Sequence, residues 1–194
     1  KPGYDAVEAA WAKTTAGRDV SFESSYGASG DQSRAVESGK AADYLGFSLE
    51  SDMTRLVKAG KVAEDWNRGP TKGIVSSSVV VLVVRKGNPK HIRDWDDIVK
   101  PGVGIVSPNP GSSGSARWNL LAGWVNITAN GGTEAEAKDY VTKFFRHAVA
   151  LPGSGRDATP ASASGTGDVL ISYENEAIFA RQSGQDLDYV IPPT

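Results

Sequence analysis

Two short runs rich in apolar residues constrain the fold of this sequence more than any other feature. Residues 76–84 have the sequence SSSVVVLVV, and residues 169–173 have the sequence VLISY. An unbroken β-branched run is typical of a strand buried on both faces; residues 76–84 are also suited to crossing from one lobe of a protein to another. A strand buried on both faces needs helices on both sides of its sheet, so the two runs predict an α/β fold.

The rest of the sequence alternates helical and strand-like patterns, which also favours an α/β fold. The patterns predict helices at 4–15, 30–38, 51–59, 94–99, 113–127, 133–149 and 175–182. Further strands are predicted at 20–23, 44–48, 103–106 and 189–191. Thr133 with Glu136 predicts a capping box at the start of the helix 133–149. Residues 158–167 lack an apolar face, so a stable helix is not expected there.

The composition argues against several classes of function. The chain has 194 residues, no cysteine and a formal net charge of −2. Without cysteine there is no disulfide, no thiolate zinc site and no thiol nucleophile. The two histidines, His91 and His147, have no partner at metal-ligand spacing, so neither a metal nor a cofactor is predicted. No run of Lys or Arg occurs, which argues against nucleic-acid binding.

The sequence also lacks the usual marks of a hydrolase. The stretches GASGD around Ser29 and GSSGS around Ser113 both miss the last glycine of a Gly-x-Ser-x-Gly nucleophile elbow. Glu174 and Glu176 follow a predicted strand, but their spacing does not imply a converging acid–base pair. We therefore expect a protein without catalytic residues. A phosphatase-like or acyl-transfer enzyme that uses Ser29 or Ser113 is the alternative that stays open.

Three loops rich in glycine and serine, at 27–30, 113–115 and 154–156, are the best candidates for a binding site. The first turn of a helix has N–H groups without an acceptor and a positive partial charge, and glycine lets the backbone approach an oxygen closely. A tetrahedral oxyanion without a proton offers only acceptors. The loops therefore predict a site that holds such an anion with N–H and O–H donors.

Four segments of the chain occur together, in order, in one known family. They are SSYGASGDQ (24–32), VRKGNPKHIRDWDDIVKPGVGIVSPNP (84–110), GSSGSARWN (111–119) and GDVLISYENEA (167–177). In these segments the sequence resembles the extracytoplasmic sulfate-binding proteins, the solute receptors of bacterial ABC importers, and the resemblance covers almost the whole chain. It implies an α/β fold of the type II periplasmic-binding-protein kind, with two lobes joined by crossing hinge strands and the anion between them.

The resemblance also implies a division of the chain and a set of site residues. Residues 1–83 would form a partial, incomplete first lobe and residues 84–192 the second lobe, with 79–84 as one hinge crossing. The implied ligand contacts are the Ser29 hydroxyl, the backbone amides of Ser113, Gly114, Ser115 and Gly155, and the phenol of Tyr173. Arg117 and Arg156 would lie behind these contacts and orient the loops.

Two departures from the family pattern affect the choice of anion. Tyr173 takes the place of a tryptophan whose indole N–H touches the anion in the family, and Asp157 takes the place of a glycine. A carboxylate near the pocket would repel a dianion or favour a protonated anion such as hydrogen phosphate, which weakens the choice of sulfate over other oxyanions. The alternative is therefore the same fold binding phosphate, thiosulfate or molybdate. The implied partners are the oxyanion and the membrane permease of an ABC importer. The implied protein is a monomer outside the cytoplasm, with lipid anchoring left open.

Overall fold

Seven helices and five strands make up the part of the chain that the structure describes, residues 2–193 of a computed structural model. The helices are α1 (Pro2–Trp11), α2 (Ser29–Glu37), α3 (Glu50–Lys58), α4 (Gly114–Ala129), α5 (Glu134–His147), α6 (Gly155–Ala163) and α7 (Glu174–Gln182). The strands are β1 (Val80–Arg85), β2 (Ile105–Val106), β3 (Ala148–Ala150), β4 (Val169–Tyr173) and β5 (Leu187–Val190), and a 3₁₀ helix covers Asp97–Val99.

The five strands form one mixed sheet in the order β3-β2-β4-β1-β5. β2 runs parallel to both β3 and β4, whereas β1 runs antiparallel to β4 and β5. Alternate residues of β1 point to opposite faces of the sheet. Val81 and Val83 pack into a core cluster with α6 and α7, and Leu82 and Val84 pack into a second cluster with α5. The prediction of a strand buried on both faces is confirmed.

The parallel strands direct three helices towards one edge of the sheet. β3 leads into α6, β2 leads into α4 and β4 leads directly into α7. The carboxyl ends of parallel strands lie at the same edge, so the N-termini of these three helices open there together. Ligands of open α/β sheets bind outside this edge, because the N–H groups of the helices and their positive dipole ends face it.

The half of the chain before β1 has no strand among its described residues, 2–79. The strands predicted at 20–23 and 44–48 are therefore wrong. A strand needs a neighbour that completes its backbone hydrogen bonds, and no described segment lies beside these two in that way. The predicted lobe boundary between residues 83 and 84 falls inside β1, which is paired with β4 and β5 along its length. The division of the chain into two lobes stays a prediction.

The prediction that residues 158–167 do not form a stable helix is wrong for residues 158–163. Residues Gly155–Ala163 form α6 although Pro160 lies inside it. The Ser154 side chain accepts a hydrogen bond from the Asp157 N–H and caps the helix. Ala158 is fully buried and packs against the sheet, so the small alanine side chain is enough to give α6 an apolar contact. A cap and a small packing face thus replace helix propensity in this segment.

The helix predicted at 133–149 ends earlier than its pattern suggests. The capping box of Thr133 and Glu136 is confirmed, with both reciprocal hydrogen bonds present. α5 stops at His147, and the next three residues form β3 beside β2. β3 is a short edge strand with Val149 largely exposed, so its sequence lacks the buried pattern that identified the other strands.

No helix within residues 2–193 combines the length and the apolar character that a membrane crossing requires. Within the same residues, no group of three or more His, Cys, Asp or Glu side chains is arranged to hold a metal ion.

Candidate functional site

Ser29 is the first residue of α2 and lies beside the start of α4. Its hydroxyl oxygen accepts a hydrogen bond from the Ser48 N–H at 3.1 Å, and its own O–H donates to Ser48 Oγ at 3.3 Å. The next amide, that of Gly30, donates to the Ser112 carbonyl at 2.9 Å. A Cβ atom on Gly30 would lie only 2.7 Å from that carbonyl oxygen, so glycine is required for this close approach.

Gly114 is the first residue of α4 and is buried against Ser29, at the start of α2, and Ser48, before α3. A Cβ atom on Gly114 would lie 2.9 Å from Ser48 Cβ and 3.4 Å from Ser29 Oγ. The N–H groups of Gly114 and Ser115 belong to the first turn, where they have no acceptor inside the helix. They are therefore well placed to donate to an anion at the carboxyl edge of the sheet.

Ser113 differs from its two successors in one respect. Its N–H donates to the Asn109 carbonyl at 2.8 Å, so this amide already has an acceptor. Its hydroxyl lies 2.8 Å from Ser115 Oγ, and the side chain is buried. Of the three successive amides expected to face the ligand, those of Gly114 and Ser115 remain as donors, and Ser113 contributes through its hydroxyl contact with Ser115.

Gly155 begins α6 and lies against Ser115. A Cβ atom on Gly155 would lie 3.1 Å from Ser115 Oγ, so the starts of α4 and α6 are in contact. The Asp157 carboxylate accepts a hydrogen bond from Ser154 Oγ at 2.7 Å. Together with the Ser154 cap on the Asp157 N–H, this bond ties the carboxylate to the outside of the first turn. The Asp157 carboxylate thus already has a hydrogen-bond donor, the Ser154 hydroxyl, at the start of its own helix.

Tyr173 is the last residue of β4 and precedes the first turn of α7. Burial raises the pKa of its phenol, and the neighbouring Ser48 hydroxyl acts in the opposite direction. Tyr173 therefore keeps its proton at neutral pH and can donate one hydrogen bond. The six residues expected to bind the ligand are accordingly brought together around Ser48 and Ser115.

The two arginines predicted to lie behind the ligand contacts, Arg117 and Arg156, both have partners within the protein. The Arg117 Nε–H donates to the Pro110 carbonyl at 3.0 Å, and its Nη1 lies 3.9 Å from the carboxylate of Asp52. Asp52 is fully buried, and no donor among the described residues forms a hydrogen bond with its carboxylate oxygens, so Arg117 supplies its counter-charge. Arg117 thereby connects the loop before α4 to α3.

Arg156 is turned towards α7. It donates to Glu176 at 2.8 Å, and its guanidinium lies 5.1 Å from the ring centroid of Phe179. The charge of Arg156 is thus paired within the protein and stands next to an acidic residue in the first turn of α7.

Another concave region, of about 520 Å³, lies at the other end of β2 and contains none of the predicted site residues. Arg85, Arg146 and His147 lie along it. The Arg85 guanidinium donates to the carbonyl oxygens of Gly165 and Gly167 at 2.9 and 2.7 Å. Its charge is therefore engaged in holding the turn before β4.

Sequence reasoning missed Ser48 and the role of Trp118. Ser48 lies in a segment predicted to be a strand, and nothing in its immediate sequence resembles a helix start. The Trp118 indole N–H donates to the Ser48 carbonyl at 2.8 Å. The only sequence feature that could have pointed to Ser48 is its position two residues before α3, at the end of the segment 44–48.

The N-termini of α4, α6 and α7 meet at the carboxyl edge of this α/β sheet, with hydroxyl and amide donors between them, as expected for a solute-binding protein of the periplasmic-binding-protein type. The chain belongs to the family of bacterial extracellular solute-binding proteins, whose model matches residues 1–194. The predicted resemblance and the predicted fold class are both confirmed.

Individual proteins of this kind are similar over nearly the whole chain. The sulfate-binding protein of Synechococcus elongatus is 46% identical over 186 residues, which cover 95% of this chain and 53% of that protein. The thiosulfate-binding protein of Pseudomonas aeruginosa is 38% identical over 186 residues, covering 94% of this chain and 56% of that protein. The chain thus spans little more than half the length of these curated relatives.

A solved structure agrees with the same assignment. The sulfate-binding protein SubI of Mycobacterium tuberculosis H37Rv is 51% identical, and the two structures superpose with a TM-score of 0.95. The match covers 99% of this chain and 67% of the SubI chain.

Proposed function

We propose that this chain captures sulfate between its α2–α3 region and its sheet, as the receptor of an ABC importer. The observation that carries the proposal is the convergence of Ser29, Gly114, Ser115 and Gly155 at one edge of the sheet. These residues bring hydroxyl groups and first-turn amides together, and all of them can donate to an anion.

The chemistry of the donors supports sulfate as the ligand. Sulfate accepts hydrogen bonds and donates none near neutral pH, so a site built from donors satisfies it fully. Hydrogen phosphate needs at least one acceptor for its proton. The Asp157 carboxylate, two residues after Gly155, already accepts a hydrogen bond from Ser154 Oγ at 2.7 Å. Sulfate-binding proteins are also among the relatives of highest identity.

Titration calorimetry with sulfate, thiosulfate, phosphate and molybdate tests this proposal. We expect the highest affinity for sulfate, and an affinity that changes little from mildly acidic to basic pH because the charge of sulfate does not change there. A preference for phosphate that rises or falls with its protonation would favour the alternative ligand. No heat with any of the four anions would refute anion capture altogether.

Thiosulfate is a second candidate because a thiosulfate-binding protein is 38% identical to this chain. Thiosulfate is also a tetrahedral dianion, but a sulfur atom replaces one of the oxygens and is a weaker acceptor. Competition between the two anions for the same protein decides between them: displacement of bound sulfate by thiosulfate at equal concentration would favour thiosulfate.

The proposed physiological role is delivery of the anion to a membrane permease from outside the cytoplasm, as a monomer and without catalysis. The family description supports an extracellular receptor. A pull-down of the permease subunits with the loaded and the ligand-free protein tests the partner, and size-exclusion chromatography with light scattering tests the monomer. Hydrolysis of an ester or phosphoester substrate that is lost in Ser29→Ala or Ser113→Ala would instead support the enzyme alternative.

A further inference from the structure

Ser48 is an exposed residue that contacts both α2 and α4 at the proposed binding site. Its N–H and its hydroxyl both contact the hydroxyl of Ser29, at 3.1 and 3.3 Å. Its carbonyl accepts the indole N–H of Trp118 at 2.8 Å. Its Cβ would lie 2.9 Å from a Cβ placed on Gly114. The side chain is therefore fixed from α2 and from α4 at once.

The direction of the hydrogen bonds leaves Ser48 able to take part in ligand binding. The Ser29 oxygen accepts the Ser48 N–H, and the Ser29 proton is directed to Ser48 Oγ. This bond of 3.3 Å is longer than the usual length of 2.7–2.8 Å for O–H···O bonds. A charged oxygen atom placed between the two hydroxyls would form shorter and stronger bonds with Ser29 than Ser48 does.

We propose that Ser48 is a further anion-binding residue of this cleft, whose hydroxyl donates to a tetrahedral oxyanion when the Ser29 proton turns from Ser48 to the same anion. The exchange removes Ser29 as a donor to Ser48 Oγ, and the Ser48 hydroxyl turns its own proton to the same anion, so both hydroxyls donate to the ligand. Trp118 acts as a positioning residue, because its indole N–H holds the backbone of Ser48 at the start of α4. The inference rests on the proposed function, since it assigns a contact to the same ligand.

Sulfate titration of Ser48→Ala and Ser48→Thr tests the contact. Ser48→Ala keeps the backbone N–H that holds Ser29 but lacks the hydroxyl, so the Kd for sulfate should rise about tenfold to a hundredfold, as expected for one hydrogen bond to a charged group. Ser48→Thr keeps the hydroxyl, so its Kd for sulfate should stay within about threefold of that of the unaltered protein. A threefold change in Kd is less than half of the free-energy change expected for the loss of one hydrogen bond to a charged group. Ser51→Ala, an exposed serine at the start of α3, is the matched control and should bind normally.

The melting temperature of the ligand-free proteins separates a ligand contact from a structural role. An exposed serine to alanine change should move it by no more than about 2 °C in a chain of this size. A larger drop for Ser48→Ala, with no additional loss of sulfate affinity, would overturn the proposal and assign Ser48 to the packing of the loop.

A second pair of variants tests the role of Trp118. Trp118→Phe removes the indole N–H and should weaken sulfate binding only while Ser48 is present. The double variant with Ser48→Ala should then bind no more weakly than Ser48→Ala alone, whereas additive losses would show that Trp118 acts by another route.

The unaltered protein decides whether the inference or the proposed function has failed. If it binds no oxyanion, the proposed function fails and the assignment of Ser48 fails with it. If it binds sulfate and Ser48→Ala binds equally tightly, only the assignment of Ser48 is overturned.

Discussion

Gly155→Pro is the substitution that removes one proposed ligand donor with the least other change. Gly155 is the first residue of α6, where proline is well tolerated because its missing N–H has no acceptor inside the helix. The preceding residue, Ser154, has φ −141° and ψ 164°, which lies in the extended region that a residue before proline adopts. The helix should therefore keep its start and lose only the Gly155 N–H.

The expected loss of affinity follows from the value of one hydrogen bond to a charged group. Such a bond contributes about 1.5–3 kcal/mol, and each 1.4 kcal/mol corresponds to a factor of about ten, so the Kd for sulfate should rise about 10- to 150-fold. A side chain at residue 155 also approaches Ser115, because its Cβ would lie 3.1 Å from Ser115 Oγ. This second effect has to be measured separately.

Gly155→Ala is the control for that contact, since it adds the same Cβ and retains the N–H. Calorimetric titration of the unaltered protein and the two variants with sulfate gives the comparison. We expect Gly155→Ala to lose no more than a few-fold in affinity and Gly155→Pro to lose at least ten times more than Gly155→Ala, by the same hydrogen-bond estimate. Equal affinities of the two variants would refute the idea that the Gly155 amide donates to the ligand.

Three further predictions concern the site, the core and the pH dependence of stability. Gly30→Ala places a Cβ 2.7 Å from the Ser112 carbonyl oxygen, and overpacking of this kind costs about 1–3 kcal/mol. We expect the clash to separate α2 from the start of α4 and to lower the sulfate affinity measured by calorimetry about tenfold. An unchanged affinity would contradict this expectation. Phe144→Ala empties a site that is 2% exposed and should lower the free energy of unfolding in urea by about 3–5 kcal/mol, whereas a loss below 1 kcal/mol would contradict the packing of α5. Lys100 and nearby backbone N–H groups hold the pKa of Asp97 below its ordinary value, so the ionised carboxylate stabilises the folded state above pH about 4, and this contribution is lost as the pH falls through the folded-state pKa. Asp97→Asn should therefore be less stable than the unaltered protein at pH 7 and approach it in stability as the pH falls through the folded-state pKa of Asp97; an equal difference at neutral and strongly acidic pH would contradict the assignment.

The two central strands, β1 and β4, could be predicted from the sequence because their apolar residues suit few structures other than a buried strand. The run 79–84 is apolar on both faces, and only the interior of a sheet with helices on both sides satisfies it. β4 was equally clear, and the Thr133–Glu136 capping box located the start of α5 to the residue. In each case the structure that the local sequence favours is also the one that the contacts with the surrounding core favour.

The errors occurred where tertiary contacts decide the local structure. β3 follows α5 without a break and leaves Val149 exposed, so its pairing with β2 is its only distinguishing feature. α6 has low intrinsic helix propensity, yet the Ser154 cap and the burial of Ala158 stabilise it. The segments 20–23 and 44–48 have strand-like composition, but composition cannot supply the neighbouring strand that a ladder needs.

In the candidate site too, features set by the local sequence could be predicted and features set by tertiary contacts could not. The starts of helices are visible in the sequence as Gly/Ser loops, and so Ser29, Gly114 and Gly155 could be predicted individually. Ser48 could not, because its role depends on the contact between its loop and α4. The Ser113 amide was expected to be a donor, but the bend of the preceding loop directs it to the Asn109 carbonyl.

On the proposed function, the charges of the helix starts explain why Arg117 and Arg156 do not need to touch the anion. Each helix N-terminus corresponds to about half an elementary charge, so the starts of α2, α4, α6 and α7 together supply about +2, which is comparable to the charge of a dianion. The first turn of α7 opposes this field because it contains Glu174 and Glu176. Arg156 pairs with Glu176 at 2.8 Å and so offsets one of these negative charges beside the cleft. On the proposed function, a cation beside the first turn of α7 thus preserves the field of the backbone dipoles, and neutral donors would hold the anion and release it again.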